Sequence, residues 1–234
     1  MVITDPRAAR SGWKMYDFFL AAFVCVLMVS NIIAGKLIQI GPITLTAAVF
    51  IFPLSYIFGD VLTEVYGYAG SRRIIWLGFG TNILMSLLFL MAIVLPYPSY
   101  WTNQVGFSTT LGVVPRIVLA SIIGYWVGEF CNSFVLAKMK EWMVQWDPNH
   151  RHLWMRTISS TIVGEFADTI IFIFLAFVGS FDYRALLTMM LCQYLTKVAI
   201  EIVFTPITYL VVGFVKKREG LDIVGTDTYS PFKY

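Results

Sequence analysis

Six apolar stretches, each about as long as a helix must be to cross a lipid bilayer, dominate this sequence and leave little chain for anything else. They fall at roughly 17–34, 43–59, 74–95, 116–137, 157–178 and 186–214. Spanning the ~30 Å hydrocarbon layer takes roughly 20 predominantly apolar residues in a helix. Lipid offers the backbone no hydrogen-bond partner, so helices that satisfy their own amides are expected to pack into a closed bundle. Composition agrees: 58% of the 234 residues are hydrophobic and 13% are charged, more apolar than a water-soluble domain of this size requires. The expected fold is all-α, an integral membrane bundle of about six transmembrane helices forming one polytopic domain over residues 1–234.

Basic residues set the expected orientation, because Lys and Arg in short loops are held on the cytoplasmic side. Alternate connections hold two unequal groups. Arg7, Arg10, Lys14, Arg72, Arg73, Lys138, Lys140, Arg151, Arg156, Lys216, Lys217, Arg218 and Lys233 form one, and Lys36, Arg116 and Arg184 form the other. Thirteen against three places both termini in the cytoplasm, with the first apolar run retained as a helix because no cleavage-type sequence precedes it. The net charge of +3 thus reflects topology, and no nucleic-acid partner is expected. Cys25, Cys131 and Cys192 lie within apolar runs at no metal or redox spacing and read as small buried hydrophobes. His150 and His152 sit in a basic loop without further ligands, so neither metal nor cofactor is expected. The connection from Pro96 to Pro115 reads as an interfacial loop, with Tyr97, Tyr100 and Trp101 at headgroup level.

The informative residues are ionisable ones inside apolar spans: Glu129, Glu165, Asp168, Lys197 and Glu201. A charge near the bilayer centre costs roughly 2.5–3.5 kcal/mol on insertion scales unless it is paired or hydrated. These groups are therefore expected to face the bundle interior. Lys197 and Glu201 stand one helical turn apart and can pair with each other, and Gln193, a turn earlier, extends the polar stripe. Asn31 adds a neutral hydrogen-bonding group in the first span. Asp60 and Glu64, followed by Arg72 and Arg73, read either as a gate or as a charge cluster capping a helix end.

Two segments resemble each other. GEFCNS runs from Gly128 to Ser133 and GEFADT from Gly164 to Thr169. In each, three residues after the glutamate comes an Asn or Asp on the same helical face, pairing Glu129 with Asn132 and Glu165 with Asp168. Consecutive spans run antiparallel, so the two motifs can form opposite walls of one polar cavity. Ala120, Gly124 and Gly128 recur every four positions, as do Ser160 and Gly164, which suits close helix contact. A packing seam stapled by polar groups is the plainer alternative.

At these residues the chain resembles the queuosine precursor transporter family, also grouped among vitamin uptake transporters. The matching pieces are NIIAGK at Asn31–Lys36, FPLSYIFGDVLTEVYGY at Phe52–Tyr68 with Arg72 and Arg73, GEFCNSFVLAKMK at Gly128–Lys140, GEFADT at Gly164–Thr169, VKKRE at Val215–Glu219 and SPF at Ser230–Phe232. The resemblance implies a six-helix, multi-pass importer in the cell inner (plasma) membrane. Its implied substrates are 7-deazaguanines, the cyano and aminomethyl precursors of the modified tRNA base queuosine. Chemistry fits: a guanine-like ring offers an N–H and an amine side by side, and one carboxylate can accept both. Glu129 or Glu165 is expected in that role, with Asp168 and Asn132 on other ring edges. Phe130, Phe166, Trp126, Phe52 and Tyr56 are the candidates for stacking. The expected partners are thus a small nucleobase-like molecule and the lipid bilayer, with homo-oligomerisation left open. Two rivals stand beside this reading: a substrate-capturing subunit served by a separate ATPase module, since the chain has no GxxxxGK[ST] phosphate loop, and a membrane-embedded acid–base enzyme, for which no comparable motif is present.

Overall fold

The computed structural model describes residues 15–41, 43–143 and 153–219. Within its helices the side chains of Tyr56, Asp60, Glu64, Arg72, Glu129, Phe130 and Asn132 lie outside the described residues, as do His150 and His152. In chain order the elements are α1 (Tyr16–Ile33), β1 (Leu37–Ile40), β2 (Ile43–Thr46), a 3-10 turn (Ala47–Phe50), α2 (Phe52–Val94), α3 (Gln104–Gly112), α4 (Val114–Met143), α5 (Leu153–Phe177) and α6 (Tyr183–Glu219). Among the described residues four stretches are long and apolar enough to cross a membrane: Tyr16–Ile33, Arg73–Val94, Gln104–Gly128 and Tyr183–Glu219. Leu87, Leu88, Leu191, Leu195, Val203 and Leu210 are exposed, an arrangement that water would penalise and lipid would not.

The stretch expected to open a helix at residue 43 does something else first. Leu37–Ile40 and Ile43–Thr46 form an antiparallel hairpin in which Leu37 pairs with Thr46 and Ile40 with Ile43. LIQI and ITLT are rich in β-branched residues. Gly41, at φ 59°, supplies the left-handed backbone that a two-residue hairpin connection demands. The helix then begins at Phe52, with Pro53 in its first turn, where the missing N–H does no harm. Likewise the connection expected as a plain interfacial loop holds α3. Cys25 is exposed on the outer surface of α1, not buried.

α2 contains 43 residues, and a straight helix of that length would reach about 65 Å, far beyond α1. Yet both of its halves pack on α1. Phe58 meets Phe19 with ring centroids 6.0 Å apart and Tyr66 meets Tyr16 at 5.1 Å. Further along, the Tyr16 hydroxyl donates to the Gly70 carbonyl at 3.0 Å, Gly78 abuts Phe23 and Leu27, and the Asn31 amide donates to Asn82 at 2.9 Å. The first contacts follow α1 backwards and the later ones follow it forwards, so α2 reverses direction between Tyr66 and Ile74. Gly67, Gly70 and Ser71 supply the weak helix formers at which sharp bends occur.

The start of α1, the bend of α2 and the end of α6 meet at one end of the bundle. There the Glu219 carboxylate accepts from the Met15 backbone N–H at 2.6 Å and from the Tyr66 hydroxyl at 2.9 Å. At the start of α4, Arg116 donates to the carbonyls of Leu175, at 2.8 Å, and Val178, which closes the C-terminal end of α5.

α4 and α5 make the most extensive contact in the fold, and the small-residue pattern explains it. A Cβ placed on Gly128 would lie 2.9 Å from both the Gly164 carbonyl oxygen and the Asp168 Cβ. Ala120 on the same stripe is fully buried. Gly128→Ala is expected to destabilise the protein by about 1–3 kcal/mol, the usual cost of overpacking. Thermal melting in detergent measures this, and an unchanged midpoint would mean the two helices can part freely.

Candidate functional site

Asp168 and Glu165 stand three apart on α5 and share a face. That face meets α6, where Lys197 Nζ lies 3.1 Å from Glu165 Oε2 and 2.5 Å from Asp168 Oδ2. All three residues are buried, between 6% and 8% exposed, so each carboxylate is desolvated and stabilised by the shared ammonium. Lys197 Nζ also sits 4.8 Å from the centroid of the Phe52 ring, within cation–π range. The geometry thus adds a cross-helix cation to the α5 carboxylates, which the one-turn spacing of Lys197 and Glu201 did not disclose. Two carboxylates of α5 share one ammonium of α6.

Asp168 and Lys197 line a cavity of ≈ 20 Å³ whose walls also include Asn31, Phe52, Phe172 and Gln193. A space of this size holds about one water molecule. Thr46, at the end of β2, donates to Gln193 Oε1 through its backbone N–H and its hydroxyl, both at 3.1 Å. The hairpin therefore serves as a wall tied to α6. Asn31, also on the wall, donates to Asn82 Oδ1, and Asn82 donates to the Gly78 carbonyl at 2.8 Å, a chain that locks α1 to the second limb of α2.

Of the residues singled out in the sequence, Asn31, Phe52, Asp168, Gln193 and Lys197 thus meet at one cavity. Glu165 joins through the ion pair and Glu201, half-buried, lies one turn further along α6. Trp126 and Phe166 are placed elsewhere: Trp126 is exposed with its ring against Trp76 at 5.6 Å, and Phe166 is exposed against Tyr194 at 5.4 Å. Arg73 is exposed. Glu129, Asn132, Phe130, Tyr56, Asp60, Glu64 and Arg72 fall among the undescribed side chains. Sequence reasoning missed Asn82, Thr46 and Phe172. Asn82 carries the same signal as Asn31, a lone amide in an apolar run, whereas nothing local marks Thr46, whose partner is 147 positions away.

Long apolar helices closed around a buried, ion-paired polar cavity define a membrane protein of the transporter class. The chain belongs to a family of transporters: the family model described as "Putative vitamin uptake transporter" matches residues 46–211. It is 30% identical to the "Probable queuosine precursor transporter" of Bacillus subtilis (strain 168) over 198 residues, covering 84% of this chain and 83% of that one. It is 27% identical to the "Queuosine precursor transporter" of Escherichia coli (strain K12) over 191 residues, covering 80% and 81% respectively. No solved structure matches the chain.

Proposed function

We propose that this chain imports 7-deazaguanine precursors of queuosine, the 7-cyano and 7-aminomethyl compounds, across the cell inner (plasma) membrane. In this reading six crossings, the two limbs of α2 counting separately, put both termini in the cytoplasm. The end that gathers Met15, Gly70 and Glu219 would then be the cytoplasmic one, flanked as it is by Arg72, Arg73 and Lys216–Arg218. The names of the two relatives support the substrate class. The observation that carries the site is the Asp168 carboxylate on the wall of a cavity that also offers two amides, an ammonium and two phenyl rings. Asp168 would accept the ring N–H and the neighbouring amine, with Phe52 and Phe172 against the ring faces. The cavity is about water-sized, so in this reading a fused bicycle enters as the helices part, in the manner of alternating-access carriers.

Reconstituting the purified chain into liposomes and following uptake of labelled 7-cyano-7-deazaguanine tests this. Uptake by the chain alone is expected, with no uptake of adenine. Binding without uptake would assign it instead to a capture subunit that needs a separate energy-coupling module. Failure to bind any 7-deazaguanine would sink the substrate reading and favour another nucleobase-like or vitamin-like solute.

A further inference from the structure

We infer that Gln193 sets the substrate class of this cavity by donating a hydrogen bond to a ring oxo group, so that bicycles of the 6-oxopurine type are accepted and their 6-amino counterparts refused. The inference rests on the proposed reading of the guest as a 7-deazaguanine. Gln193 is 3% exposed, and its Oε1 is held by the Thr46 backbone N–H and hydroxyl. A backbone N–H can only donate, so the oxygen of the amide must face β2, and the orientation of the whole group is fixed. What remains is the Nε2 group with two hydrogens, for which no acceptor is found among the described residues. Gln193 lines the cavity, where a single water can satisfy that donor until a guest displaces it.

Asp168 on the same cavity asks for the opposite chemistry, since an ionised carboxylate only accepts. A guest must therefore present an acceptor to Gln193 and donors to Asp168. A guanine-type edge carries these side by side: oxo group, ring N–H, amine. An adenine-type edge puts an amine against the Gln193 donor and a bare ring nitrogen against the carboxylate, leaving buried groups of like character facing each other. Sites built around such hydrogen bonds discriminate far better than apolar pockets do.

Equilibrium titration of the full-length protein in detergent with 7-cyano-7-deazaguanine, and with the analogue whose 6-oxo group is replaced by an amine, tests the assignment. The wild type is expected to prefer the oxo compound by about 100-fold or more. Gln193→Glu keeps an acceptor for Thr46 but lacks the donor, and Gln193→Leu lacks both. Each is expected to weaken binding of the oxo compound about 10- to 100-fold and to bring the preference below about tenfold. Should Gln193→Leu fold poorly, the near-isosteric glutamate carries the test. Retention of the wild-type preference by a folded variant, or equal wild-type affinity for both compounds, overturns this inference alone. Binding of neither compound by the wild type overturns the 7-deazaguanine reading and the inference together.

Discussion

Lys197→Met is expected to be among the most damaging single substitutions in this protein, lowering stability by about 3–5 kcal/mol, the usual cost of stranding buried charge by removing one partner. Lys197 is the cation shared by Glu165 and Asp168, and all three are nearly free of solvent contact. Methionine fills a similar volume and removes only the ammonium, so packing loss cannot account for the effect. Removing all three charges together, with Lys197→Met, Glu165→Gln and Asp168→Asn, takes out this ion-paired cluster whole and is expected to recover most of the stability. Thermal melting of the two variants in detergent checks this. A Lys197→Met protein that melts with the wild type would show that the carboxylates are stabilised by something other than this lysine.

The same ion pair shows where sequence reasoning reached and where it stopped. That Glu165 and Asp168 face inward follows from their cost in lipid, and that α4 and α5 touch closely follows from Gly124, Gly128 and Gly164. Both inferences use only neighbours three or four positions apart, which a helix brings together whatever the rest of the chain does. Lys197 lies 29 and 32 positions from these two partners, a separation that a one-turn spacing such as its own with Glu201 does not disclose. The hairpin was hidden for a different reason. LIQI and ITLT merge into adjoining apolar sequence, and a short apolar run reads as helix or strand equally well by periodicity. The Gly41-Pro42 pair was the one local sign of a turn. The reversal of α2 lies between these cases: Gly67, Gly70 and two arginines mark the place, but only contacts with α1 give the direction.

Asp168 and Glu165 are expected to separate cleanly in binding, although they share one lysine and one helix face. Asp168 is on the cavity wall, whereas Glu165, three residues earlier, lies outside the lining and touches the wall residue Lys197. Either amide substitution leaves Lys197 paired with the other of these two carboxylates, so neither takes away its whole counter-charge. Differences in affinity can then be read without a large difference in folding. If Asp168 accepts two charge-assisted hydrogen bonds from the guest, each contributing about 1.5–3 kcal/mol, Asp168→Asn should weaken 7-deazaguanine binding by about 100-fold or more. Glu165→Gln should cost about tenfold or less, through a shift of Lys197 against Phe52. Titration of both variants alongside their melting curves decides the matter. Equal losses would place the guest on Glu165 as much as on Asp168, and wild-type affinity in Asp168→Asn would remove the carboxylate from recognition and leave the triad as an internal brace.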